Sequence, residues 1–148
     1  MIERYVQQVV VTLVGVLLLV AVAIAYVLGV FSSDNRERLA TPDRPLPSPS
    51  GAYTAAPEMG PEQNGVKTWV VVIRDRSGAE VFRDDYAYST RHGVGVTWLS
   101  TADQLWILSG DVGTAHVDRA PDGTWTKTAV TPETLNQVPE EITQLKGG

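Results

Sequence analysis

The residue types best suited to chemistry lie close together in DQLWILSGDVGTAHV, residues 103–117, where Ser109, Asp111 and His116 offer a hydroxyl, a carboxylate and an imidazole. Those three groups are the working parts of acyl transfer, and glycines on either side of an aspartate are the residue type of phosphate cradles. A phosphate loop needs G-x-x-x-x-G-K-[ST] between a strand and a helix, whereas here Gly110 and Gly113 are three apart, no lysine follows, and the next segment alternates as a strand. A catalytic pair would join Asp111 to His116 or to His92, the only two histidines. On a strand Thr114 and His116 share one face while Ala115 and Val117 take the other, so His116 points to solvent if the apolar pair points inward. The spacing predicts a hairpin turn, with Asp111 and His116 kept as candidate binding residues and no catalytic residue assigned.

Ser109-Gly110-Asp111-Val112-Gly113 also resembles the opening of the Asp-box, the S-x-D-x-G-x-T-W hairpin of sialidases and other propellers. The match ends after Gly113, because Thr114 arrives one place early and no tryptophan follows, although Asp122-Gly123-Thr124-Trp125 echoes the motif's ending. The resemblance implies a structural turn in which Asp111 accepts from nearby backbone amides. It does not imply a propeller, since four or more blades need a much longer chain.

Other clusters are weaker. Asp84 and Asp85 are adjacent, so on a strand they point to opposite faces and are expected to be solvated rather than paired. Arg91-His92-Gly93 offers an anion contact, but the chain from Val66 onward carries eight Lys/Arg against eleven Asp/Glu, which argues against a nucleic-acid partner. Cysteine is absent, removing disulfides, thiol catalysis and thiolate metal sites, and no cofactor or metal set is legible. The four tryptophans, Trp69, Trp98, Trp106 and Trp125, are many for so small a domain. Trp98, Trp106 and Trp125 are taken as candidates for an exposed aromatic binding surface, with core packing expected for at least two of the four.

These residues must be positioned by elements of very different character. From Val9 to Phe31 the chain carries no charge, and a helix of that length spans roughly 34 Å, enough to cross a bilayer. Ala21-Val22-Ala23 has the small-x-small form of a signal-peptidase site, but cleavage there would leave Ile24–Phe31 as an apolar tail, so the run reads as a single-pass signal-anchor. Arg36, Arg38 and Arg44 after the run outnumber Arg4 before it, which favours a cytoplasmic C-terminal part, while a long following domain translocates largely regardless of charge. The second argument is preferred, placing the domain outside the cytoplasm. Ala21, Ala25 and Gly29 recur every four residues and form a stripe on which another membrane helix can approach closely.

Residues 32–65 hold six of the nine prolines and little apolar periodicity, and are expected to form a flexible linker with a polyproline run at 45–49. From Val66, β-branched and aromatic runs separated by Asp75-Arg76-Ser77-Gly78 and Ala120-Pro121-Asp122-Gly123 predict six short strands in an antiparallel meander, folded as a small sandwich or partly open barrel. Thr131-Pro132 and Pro139 open a C-terminal helical segment, with Leu135, Val138, Ile142 and Leu145 on one face. The fold expected is mainly β: transmembrane helix (1–31), linker (32–65), β domain with a C-terminal helix (66–148). The function expected is that of a membrane-anchored interaction module serving a cell-envelope assembly, with the bilayer and a membrane or envelope protein as partners. The alternative is a small envelope hydrolase or sugar-binding enzyme built on Asp111 and His116.

Overall fold

The computed structural model describes residues 2–146, with the side chains of 26–34 excepted. The chain divides into two units, Met1–Glu37 and Arg38–Gly148.

The first unit is one helix, α1 (Ile2–Glu37), whose segment Ile2–Ala25 has a mean hydropathy of 2.8 and is long and apolar enough to cross a membrane. Its 36 residues outrun the uncharged stretch at both ends. The extension has a local cause: no proline occurs before Pro42, so nothing in 32–37 breaks the backbone ladder. Ala21 and Ala25 lie exposed on this helix, whereas the surroundings of Gly29 fall outside the described residues.

The second unit is two antiparallel sheets. One contains β1 (Leu46–Pro47), β2 (Tyr53–Met59), β3 (Thr68–Asp75) and β4 (Glu80–Arg83) in that order, with β5 (Tyr88–Ser89) also on β3. The other is a meander of β6 (Gly95–Trp98), β7 (Leu105–Ser109), β8 (Gly113–Arg119) and β9 (Trp125–Ala129). A 3-10 turn (Leu135–Gln137) and a short helix α2 (Glu140–Lys146) follow. Ala55, Val71 and Ile73 from the first sheet meet Val96, Trp98, Leu105, Ile107 and Val117 from the second, with Tyr88 between them, in one buried cluster. The alternation that hides these residues turns their neighbours outward.

The expected linker is corrected here. Seven residues of β2 face seven of β3, and Ala55, Ala56 and Pro57 are buried, so residues 38–65 belong to the β unit. Pro57 is accommodated because Gly60 N donates to Thr68 O at 2.9 Å, which sets the residues paired with Thr68, Val70 and Val72 as the hydrogen-bonded ones. Pro57 faces Val71 between them, so its missing N–H falls on the side away from β3, past the end of two-residue β1. The proline-rich run is likewise part of the fold: Leu46 O accepts from Trp98 Nε1 at 2.9 Å, and Ser48 is buried.

The outer face of the first sheet is sealed by charge. Glu58 receives Arg74 Nε at 3.0 Å and Nη2 at 2.9 Å, with Arg83 Nη2 at 3.4 Å. Register places these side chains on the same face as Val70 and Val72, which are buried there.

Candidate functional site

The sandwich is closed along one side and open along the other. On the closed side Trp98 bonds to Leu46 and Ala40 N donates to Val96 O at 2.7 Å. On the open side the edge strands β4 and β9 have no ladder between them, leaving a cleft of about 640 Å³ lined by Val81, Phe82, Arg83, Asp85 and residues 123–127.

The edge of β9 exposes its backbone in a defined order. Val130 N donates to Thr114 O and Ala120 N to Thr124 O, both at 2.8 Å, so the even-numbered residues between them share hydrogen bonds with β8. Trp125, Lys127 and Ala129 therefore direct their N–H and C=O groups away from β8. The Trp125 ring meets Tyr53 edge-on at 4.9 Å and Trp98 at 6.4 Å, which fixes the half-buried indole at the mouth of the core.

A polar cluster joins the two sheets on this side. Lys127 Nζ lies 2.8 and 3.0 Å from the two carboxylate oxygens of Asp84 and 3.1 Å from Tyr88 Oη. Tyr88 Oη donates to Asp84 Oδ2 at 2.7 Å, and Tyr86 N donates to Oδ1 at 3.1 Å. The expectation of a solvated Asp84 is corrected: its side chain has no exposure, because β4 ends at Arg83 and the chain turns inward to bring it beneath β9. Burial, followed by the bond to Asp84, pushes the Tyr88 phenol far above its ordinary range, so it stays protonated. Asp85 remains exposed.

The quoted stretch is a hairpin between β7 and β8, with Ser109 facing Gly113 and Gly113 at φ +88°. Its turn is tied by Ser109 Oγ, which accepts from the amides of Asp111 at 3.2 Å and Val112 at 3.3 Å. The serine hydroxyl thus does what the Asp-box resemblance implies for Asp111, which is exposed. The aspartate version occurs elsewhere, at Asp75, whose Oδ1 accepts from Ser77 N at 2.9 Å and Ala79 N at 3.1 Å.

His116 pairs through Nδ1 with Asp118 rather than with Asp111. Asp118 Oδ1 accepts from Gln104 Nε2 at 2.7 Å, Gln104 Oε1 accepts from Trp106 Nε1 at 2.9 Å, and the His116 ring packs on Trp106 with centroids 5.1 Å apart and planes tilted by 44°. This closed ring of contacts orients the imidazole, but the register sets Ser109 opposite Gly113 and His116 opposite Trp106, three residues apart along the ladder, so the two are not brought together. Trp98 and Trp106 are buried, at 6% and 3% exposure, so neither forms an exposed aromatic surface. Trp125, half-buried, borders the cleft between β4 and β9. No group of three or more His, Asp or Glu suited to a metal occurs among the described residues. Sequence reasoning missed Lys127, Tyr88 and the cleft itself, since their assembly depends on which strands end up as edges. No family model, curated protein or solved structure matches the chain.

Proposed function

We propose that this protein is a single-pass membrane-anchored binding module, an accessory of a cell-envelope assembly, whose β unit takes up a partner in the cleft between β4 and β9. The observation that carries the reading is the open side of the sandwich, where two strand edges and the half-buried Trp125 share one cleft. An unpaired edge is a template for an extended segment of another protein, which gains main-chain hydrogen bonds from the edge and side-chain contacts from the groove. The membrane helix fits the same role by holding the module at a surface, with Ala21, Ala25 and Gly29 as the stripe for a second helix. In this reading the β unit lies outside the cytoplasm, because a long domain after the helix translocates largely regardless of nearby charge.

The test is site-specific photo-cross-linking in intact cells. A photoreactive residue at Thr124, on the cleft, should give a discrete adduct with a membrane or envelope protein, while one at exposed Glu133 should give none. Equal labelling from both positions, or none from Thr124, sinks the cleft assignment. Labelling of Glu133→Cys, at an exposed position in a chain without cysteine, by a membrane-impermeant maleimide on intact spheroplasts checks topology, and labelling only after lysis reverses it.

A further inference from the structure

The Asp84, Tyr88 and Lys127 cluster does more than an ion pair requires. A carboxylate with no solvent exposure, an amine within 3.0 Å of both its oxygens, a phenol donating to one oxygen and a backbone amide donating to the other are the components of an acyl condensation. We propose that Lys127 Nζ and Asp84 Cγ join in an intramolecular amide, a covalent cross-link between the two sheets.

Transfer of a proton from the ammonium to Asp84 Oδ2 gives the neutral amine and acid. The Nζ lone pair then forms a bond to Cγ, and the negative charge developing on Oδ1 is met by the Tyr86 N–H, already aimed at that atom. Oδ2 departs as water: it takes the Tyr88 phenolic proton as the C–O bond breaks, and the proton lost from nitrogen returns to the phenolate. Atoms balance as amine plus acid to amide plus water, with no oxidant or cofactor. Proximity converts a bimolecular reaction into a unimolecular one. Asp84, whose side chain has no exposure, keeps Cγ from the water that would drive the reverse reaction, and the Tyr86 and Tyr88 rings, centred 5.8 and 5.5 Å from Nζ, flank the amine. The link also lies where the fold is open, between the end of β4 and β9, in a chain with no cysteine to staple it otherwise.

The experiment is the intact mass of the full chain, purified from membranes in detergent and measured under denaturing conditions, where an ion pair does not survive. The expected mass is one water below that required by the sequence. Trypsin should leave a branched peptide joining the segments that carry Asp84 and Lys127, with no cleavage after Lys127. Lys127→Arg should restore the full mass, and Tyr88→Phe should leave a larger unlinked fraction than the parent. A parent chain at its full sequence mass with normal cleavage after Lys127 overturns the proposal, as does a water loss that persists in Lys127→Arg.

Discussion

Removing residues 38–65 should unfold the β unit. A fragment starting at Val66, the boundary drawn from sequence, loses β1 and β2 and leaves β3 with its ladder to β2 unmade along seven residue pairs. About six ladder hydrogen bonds at a net ~1 kcal/mol each amount to roughly 6 kcal/mol. Loss of the buried methyls of Ala55 and Ala56 adds about 1.5 kcal/mol. The deletion also strips the Trp98 indole of its Leu46 acceptor and opens Val71 and Ile73 to water, which enlarges the cost. A unit of about 110 residues has some 5–15 kcal/mol in total. The deletion therefore consumes most or all of that margin. Urea denaturation followed by circular dichroism should give a cooperative transition for 38–148 and none for 66–148. A transition of equal midpoint and slope in both fragments would refute the assignment of β2 to the fold.

The hairpin yields two further expectations in the same unit. Gly113→Val forces a β-branched residue to φ near +88° and should cost about 1–3 kcal/mol, read as a lowered melting temperature. Ser109→Ala should cost about 1 kcal/mol while Asp111→Ala costs almost nothing, and the reverse order in thermal melts would restore the aspartate to the turn. Ile142→Ala, at a fully buried position in α2, should destabilise by about 2–5 kcal/mol; a melt unchanged from the parent would show that α2 is not docked. The bond from Ser77 holds the Asp75 carboxyl below its ordinary value of 3.8. Its contribution is therefore present above that value and lost as pH falls through the lower folded one, so Asp75→Asn should flatten the acid limb of the stability profile. Parallel acid limbs for parent and variant would contradict this.

The long apolar helix and the hairpins were legible because each rests on local information: an uncharged run long enough for a bilayer, or turn residues between alternating strands. β2 was hidden by Pro57 and by two alanines, residues of poor strand propensity that are tolerated because their partners in β3 are strongly apolar. The fate of Asp84 was hidden for a different reason, since Lys127 lies 43 residues away and meets it only through sheet packing. The same holds for Trp106, whose burial depends on a tilted ring contact with His116 from the next strand and on a polar chain through Gln104. His116 was correctly placed opposite Ala115 and Val117, but its partner Asp118, two residues on along the same face, was passed over in favour of Asp111.

Arg38 Nη2 donates to Glu141 Oε2 at 3.0 Å across 103 residues, and the other oxygen of Glu141 accepts from Ser100 N and Oγ at 3.1 and 2.9 Å. The β unit thus begins and finishes at one clasp. Tension applied between α1 and the C-terminal segment would act on this clasp before it reached either sheet. Glu141 would let go first, α2 would peel away with Ile142, and the nine strands would stay assembled. A module anchored in a membrane and pulled from its far end would then yield in two stages, a weak slip followed by a much stiffer resistance.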